Sequence, residues 1–570
     1  MTNHISWWRR PLLHRFERLQ QREDQIFLAL ALVIGALTGL TVVAFIVLTE
    51  RLGMRLYPPV GSPWRRILCP IAGSLTMGWL LYRYFPYARG SGVPQTKAAL
   101  FARDGQIRLH TVLGKFFCTS ATLASGIPLG REGPSVQVGA GIASVLGRFL
   151  GLSTEKVKSL LPVGAAAAVS AAFNTPLAAV LFSLEEIVGD LHAPVLGSVV
   201  LASATSWIVL RLLLGNSPLF KVPHYELVSS TEFGIYALLG AACGVVSVVF
   251  SQLLLRMRAW FLRLPPGSAW IHPLAGGILV GVVGWFVPQV LGVGYGFVGN
   301  ALNSNMTLTL MALLVVLKLV TVTTSYASGN AGGIFGPALF LGAMLGGSLG
   351  NVAHRLLPAT TAAAGAYALV GMGAMFAGIV RAPMTSVLMI FEMTQDYAVI
   401  VPLMICNLIS LFIASRLQRT PIYEALAIQD GIHLPSAHTH ARGGHRQVAR
   451  VMCPAPDPLP ASLAVAEAVD RLRASKASTA LVADERGLVG VMSASALADP
   501  SIAEKRLLDL VNPLSFPHVH TDHGLHLALE RLGNHGLDLL PVVSRANAHQ
   551  VLGVVTLHDV LQSYGVGNVV

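Results

Sequence analysis

From Ile26 to Arg416 the chain is apolar almost without a break, and polar residues return on either side of that stretch. A membrane-spanning helix needs about 20 apolar residues. Phe27–Thr49, Val195–Leu214, Ile235–Leu255 and Met306–Val322 meet that length and are predicted spanning helices. Other apolar segments are short and interrupted by glycine and proline: Gly90–Leu100, Gly126–Ala140, Gly329–Phe340 and Ala382–Met393. Inside a membrane, irregular backbone is tolerated only where protein or a water-filled cavity surrounds it. These breaks are therefore predicted to lie near the functional centre.

The apolar pattern occurs twice. Gly130-Arg131-Glu132-Gly133-Pro134 returns as Gly333-Ile334-Phe335-Gly336-Pro337, an offset of 203 that also pairs Lys115 with Lys318, Ala124 with Ala327, Ser125 with Ser328 and Gly126 with Gly329. Further on the offset is 207, pairing Gly164 with Gly371, Ala167 with Ala374, Pro176 with Pro383, Val180 with Val387, Leu181 with Leu388 and Glu185 with Glu392. Two intramembrane lysines and two Gly-x-x-Gly-Pro breaks in one register argue for a duplicated unit, inverted if each half crosses an odd number of times. Duplicated halves with broken helices predict a transporter whose site lies at the repeat interface.

After Arg419 the pattern changes. Asp430–Gln447 reads as a polar linker, and its His433, His438, His440 and His445 suit flexible sequence better than a metal site. Two similar units follow from Val448. Each has an amphipathic helix (Leu463–Leu472, Leu525–Leu532), a short strand (Thr479–Ala483, Leu539–Val543) and a glycine-led strand running into a helix start (Gly490-Val491-Met492-Ser493, Gly553-Val554-Val555-Thr556). Strands alternating with helices in polar sequence predict a soluble α/β module.

Composition agrees with this division. Hydrophobic residues make up 53% and charged residues 12% of the 570, about half the charged fraction of a soluble domain. The net charge of +12 comes largely from basic residues flanking apolar segments, including Arg9, Arg10, Arg15, Arg18 and Arg22 before the first one. That placement orients spans with the N-terminus in the cytoplasm, and no basic stripe interleaved with aromatics points to nucleic acid. The first apolar stretch spans a bilayer and lacks a small-residue cleavage pattern, so it reads as a helix rather than a signal peptide. Cys69, Cys118, Cys243, Cys406 and Cys453 have neither disulfide-framework nor metal-ligand spacing. The sequence contains no phosphate-binding Gly-Lys-Ser/Thr loop and no His-Glu-x-x-His, which disfavours an ATP-driven pump and a metalloprotease.

Helix N-termini present unsatisfied N–H groups and partial positive charge, so broken helices suit an anion. Glycine permits close backbone approach there, and proline fits a first helical position. Gly90-Ser91-Gly92-Val93-Pro94, Gly130-Arg131-Glu132-Gly133-Pro134, Gly333-Ile334-Phe335-Gly336-Pro337 and Tyr423 resemble, in order, the anion-site signatures of the CLC chloride channel and transporter family. The resemblance covers roughly Phe27–Leu426, and the tail resembles a pair of CBS regulatory domains. It implies an all-α multi-pass membrane domain with two inverted repeats and broken helices, followed by an α/β CBS pair. The expected boundaries are a basic N-terminus at 1–25, the transport domain at 26–428, a linker at 429–447 and CBS domains at 448–500 and 501–570.

By the same resemblance, the hydroxyls of Ser91 and Tyr423 and the N–H groups of Ile334 and Phe335 hold chloride, with Ser91 marking chloride rather than nitrate. Glu132 is the external gating glutamate: ionised, it occupies the anion's place, and protonated, it leaves. A structural pairing with Arg131 is the alternative for that residue. Glu186 matches the internal proton-transfer position of exchangers, against the plainer role of a helix-end acid in cytoplasmic water. Together Glu132 and Glu186 favour proton-coupled chloride antiport over a passive voltage- or pH-gated channel, and the complete motifs disfavour a membrane-tethered sensor that no longer transports. Thr556 and Asp559 resemble the ribose-contacting segment of CBS domains that bind adenine nucleotides. Ala496 departs from that pattern in the first unit, and a purely structural pair is the alternative. The implied protein requires no cofactor, is not an enzyme, and works as a homodimer in the cell membrane (the inner membrane in a bacterium), with both termini cytoplasmic.

Overall fold

The computed structural model describes residues 23–563 apart from 58–61, 192–194, 216–217, 221, 226, 433, 435–446, 476, 500–501 and 513–515. The five N-terminal arginines and the four linker histidines named above lie outside the described residues. The chain forms two compact units, one taking in residues up to Leu100 together with Asp104–Leu426, the other Phe101–Arg103 together with the chain from Ala427 onward.

In the first unit α1 (Glu23–Leu56), α2 (Arg65–Arg83), α3 (Val93–Ala102), α4 (Leu109–Ala124), α5 (Glu132–Phe149), α6 (Thr154–Phe173), α7 (Pro176–Phe182) and α8 (Leu196–Leu214) form one series. A matching series follows: α9 (Glu232–Leu262), α10 (Pro273–Phe286), α11 (Tyr295–Leu302), α12 (Leu308–Ala327), α13 (Phe335–Leu356), α14 (Ala364–Val380), α15 (Pro383–Thr394) and α16 (Ile400–Leu417). Helix α17 (Ile422–Gln429) comes last. Among the described residues seven helical stretches are long and apolar enough to cross a membrane: those of α1, α6, α8, α9, α12 and α13, and the joint stretch Ile400–Gln429.

The duplicated register is visible as geometry. Gly130 and Gly333 exchange both backbone hydrogen bonds, each 2.7 Å, in an antiparallel bridge. Equivalent residues paired in this way lie on a local two-fold axis, the relation expected of inverted halves. Lys115 Nζ donates to the carbonyls of Ala88 and Gly90 at 3.0 and 2.5 Å, and Lys318 Nζ to those of Val290 and Gly292 at 3.0 and 2.7 Å. Each buried lysine thus braces the loop that leads into α3 or α11. The acids are exchanged between halves. Glu185 accepts the N–H groups of Met384 and Thr385, at 3.3 and 2.8 Å, at the start of α15. Glu392 accepts those of Leu177 and Ala178, at 3.0 and 2.7 Å, at the start of α7.

The helices after the glycine–proline breaks run longer than the broken pattern suggests: α5 has 18 residues and α13 has 22. Their interior glycines do not end them because the missing side chains are used for packing. A Cβ on Gly139 or Gly164 would run into the other's carbonyl, and Gly342 and Gly371 meet in the same way. Backbone-to-backbone contact of α5 with α6 and of α13 with α14 offsets the roughly 0.5–1 kcal/mol that a mid-helix glycine costs.

In the second unit the α/β pattern also appears twice. β1 (Leu459–Pro460), α18 (Val465–Ser475), β2 (Thr479–Asp484), β3 (Gly487–Ser493) and α19 (Ala494–Leu497) are followed by α20 (Leu525–His535), β4 (Leu539–Val543), β5 (Val551–Thr556) and α21 (Leu557–Ser563). β2 pairs antiparallel with β3 and β4 with β5. The parallel partner of β2 is β1, and the parallel bridge of Val519 with Val542 takes the equivalent place. Val465, Ala468 and Leu472 on α18, and Leu525, Ala528 and Leu532 on α20, are buried, the single apolar face that such helices turn to a sheet.

Candidate functional site

The loop braced by Lys115 carries Ser91, which is fully buried and donates its backbone N–H to the Tyr326 hydroxyl at 3.2 Å. Tyr423, at the start of α17, is also buried. Neither Ser91 Oγ nor the Tyr423 hydroxyl makes a hydrogen bond of ordinary geometry among the described residues, and the two face one another closely enough for a weak one at most. A buried hydroxyl left unbonded costs about 1–3 kcal/mol. Two such donors converging inside a membrane domain fit a ligand that accepts from both, and a halide is one.

Phe335 is the first residue of α13 and Glu132 the first of α5, so the register of 203 places a phenylalanine and a carboxylate at equivalent helix starts. The Phe335 ring is held by Phe173, Phe182 and Phe376, with centroids at 4.9, 5.5 and 4.4 Å, which fixes the N-terminus of α13. Ile334, just before it, is fully buried. The Glu132 side chain is completely buried, and its Oε2 accepts the N–H of Gly336 at 3.2 Å. Its Oε1 accepts the Tyr295 hydroxyl proton. The carboxylate therefore lies against the positive end of the helix from the other half. Arg131 turns away to Glu50, at 3.0 Å. A Cβ on Gly133 would come within 3.0 Å of Ser91 Oγ, so the segment carrying Glu132 packs directly on the serine. Ser91, Glu132, Phe335 and Tyr423 converge on one place.

Glu186 lies in a π-helical turn, Ser183–Val188, that continues α7. Such turns recur at functional sites. The residue is buried instead of facing water, and its Oε1 is 2.9 Å from Lys97 Nζ on α3. Glu185 and Glu424 also act on it electrostatically.

In the tail, the Thr556 hydroxyl donates to Asp559 Oδ2 at 2.6 Å, and Asp559 N–H donates back to Thr556 Oγ1 at 3.1 Å. The two cap α21 between them, and Ser493 caps α19 through the N–H of Ala496 at 3.2 Å. Capping alone accounts for these contacts.

Reading the sequence missed Tyr295, Lys97 and Tyr326, and it placed Gly336 in an anion-site motif without its contact to Glu132. A signal for Tyr295 was present: Gly292-Val293-Gly294-Tyr295 matches Gly90-Ser91-Gly92-Val93 at an offset of 202, which marks it as part of a second broken-helix loop. Lys97 carries no comparable signal, because a lysine on a short helix looks like any solvated one.

A family model described as voltage gated chloride channel matches residues 72–415, and a CBS domain model matches residues 509–565. The H(+)/Cl(-) exchange transporter ClcA of Vibrio campbellii is 33% identical over 413 residues, 70% of this chain and 88% of that protein. A ClcB-like protein of Ralstonia nicotianae is 35% identical over 381 residues, 66% of this chain and 89% of that protein. Among solved structures, a slow cyanobacterial Cl-/H+ antiporter aligns with a TM-score of 0.65 at 27% identity, covering 71% of this chain and 97% of that one.

Proposed function

The chain belongs to the voltage gated chloride channel family, and from that premise we propose that it is a multi-pass membrane antiporter exchanging chloride for protons. The observation that carries this reading is the position of the Glu132 carboxylate, buried at the N-terminus of α13 near the converging hydroxyls of Ser91 and Tyr423. Ionised, it holds the place an anion would take. Protonated, it is neutral, gains nothing from the helix end, and gives way to chloride. The anion is then bound by the hydroxyls of Ser91 and Tyr423 and by the N–H groups of Ile334 and Phe335. A helix end contributes up to about 2 kcal/mol, whereas a full positive charge at 4 Å contributes about 4 kcal/mol in a partly polar interior. The weaker attraction lets the ion leave again.

Glu186 supplies the inner end of the proton route. Its burial and its ion pair with Lys97 support a group that exchanges protons selectively over a helix-end acid in open water, and this favours exchange over a passive channel. Transport draws on ion gradients and needs no cofactor. The reading extends to a homodimer in the cell membrane with both termini cytoplasmic, and to CBS units at 448–500 and 501–570. Thr556 and Asp559 would meet an adenine nucleotide's ribose, and nucleotide titration followed by protection of α21 from hydrogen exchange tests that assignment.

The central test uses purified protein in chloride-loaded liposomes, with chloride and pH electrodes read together. Outward chloride movement is expected to drive proton uptake against its gradient. Chloride flow without proton movement would make the protein a channel, and silence at both electrodes would make it a sensor.

A further inference from the structure

We propose that Tyr295 is a positioning residue, a latch whose hydroxyl holds the Glu132 carboxylate at the helix ends and sets how readily it yields to chloride. The proposal rests on the reading of Glu132 as the exchanging group. The Tyr295 hydroxyl donates to Glu132 Oε1 while the Gly336 N–H takes Oε2, so the carboxylate is gripped at both oxygens. Glycine at 336 leaves room for both contacts without displacing either side chain. A Cβ there would lie 2.9 Å from Glu132 Oε2 and 3.1 Å from the Tyr295 hydroxyl oxygen.

The phenol is not a loose rotor. The Phe220 ring meets it edge-on at 5.8 Å, and the Arg131 guanidinium lies 5.6 Å from the ring centroid. Arg131 is itself tied to Glu50. The equivalent position in the first half is Val93, so the fold does not require a hydroxyl here. A cavity of about 380 Å³ is lined by Glu50, Arg131 and Tyr295 among others. Glu50, in that lining, is 60% exposed, whereas Glu132 itself is completely buried.

The chemistry is a hydrogen-bond exchange in which Tyr295 keeps its proton. A proton from water adds to the Glu132 carboxylate, the oxygen loses its charge, and the bond from the phenol weakens. The charged and titratable groups around the pair are Arg131 beside Glu132, Glu50 and Tyr57 from the α1 side, Tyr423 from α17, and Lys318 from α12, which holds the loop leading to Tyr295. Because a neutral donor stabilises the ionised carboxylate, its loss makes Glu132 easier to protonate.

The test is Tyr295→Phe, which retains the ring and its packing, in the full-length protein in liposomes with both electrodes. Chloride turnover at neutral pH should rise several-fold, and its half-maximal pH should move upward by about one unit, the scale of one hydrogen bond. In a Glu132→Gln background the same substitution should change neither. Infrared difference spectra should show the Glu132 carboxylate band shifted in Tyr295→Phe, a readout that does not depend on transport. An unshifted pH profile and carboxylate band in a variant that still carries chloride would overturn the latch. So would a shift that persists without Glu132. Failure of the unmutated protein to move protons with chloride would instead overturn the exchange reading itself, leaving the infrared result to judge the contact.

Discussion

The two halves of the membrane unit share a scaffold and differ in chemistry. Matched residues do matched structural work: Lys115 and Lys318 brace loops, Glu185 and Glu392 cap helices, and Gly139–Gly164 and Gly342–Gly371 bring backbones together. At the positions facing the site the register pairs unlike groups. Ser91 stands against Val293, Glu132 against Phe335, Lys97 against Gly299 and Glu186 against Met393. The Ser91 hydroxyl, both acids proposed to exchange protons and the lysine beside one of them come from the first half. The second contributes backbone N–H groups, aromatic packing and Tyr295. Duplication supplies two opposed helix ends, and the asymmetry supplies the acids proposed to carry the proton.

The strongest way to break this contrast is at residues 132 and 335. Glu132→Gln should abolish proton movement while chloride still flows, whereas Phe335→Leu should leave the proton-to-chloride ratio unchanged, both read with paired electrodes. The matched lysines test the shared scaffold. Removing either buried amine leaves two carbonyl acceptors unpaired, at about 1–3 kcal/mol each, so Lys115→Met and Lys318→Met should destabilise the protein by several kcal/mol and by similar amounts in denaturation. A large difference between them would mean that the two loops are not braced alike. A smaller effect separates Ser91→Ala from Val293→Ala. The first should weaken chloride binding about tenfold or more by calorimetry, the worth of one bond to a charged ligand, and the second should leave it unchanged. The smallest concerns the caps. Glu185→Ala and Glu392→Ala should each cost about 0.5–2 kcal/mol. Glu185 should lie at the upper end because it also accepts the Thr385 hydroxyl at 2.7 Å.

Much of this contrast was legible in the letters, and what was missed has a physical reason. Spans and breaks follow from hydropathy, and the offsets of 203 and 207 expose the duplication because scaffold residues are the ones it kept. Ser91, Glu132, Phe335 and Tyr423 stood in recognisable motifs. The contacts between halves did not, because a bond from Tyr295 to Glu132 joins residues 163 positions apart with no periodicity to announce it. The burial of Glu186 was hidden for a related reason. A π turn has no compositional signature, and the lysine that meets this acid comes from another helix. In the tail, helix and strand boundaries were read closely, since alternation within a short amphipathic segment is a local property.

The exchanged caps also impose an order of events during synthesis. The N–H groups of Leu177 and Ala178 wait for a carboxylate that the ribosome reaches 215 and 214 residues later. The first half can therefore enter the bilayer but cannot finish there. Until Glu392 is translated, one of its helices keeps a raw end, and only the arrival of the second half makes either one whole.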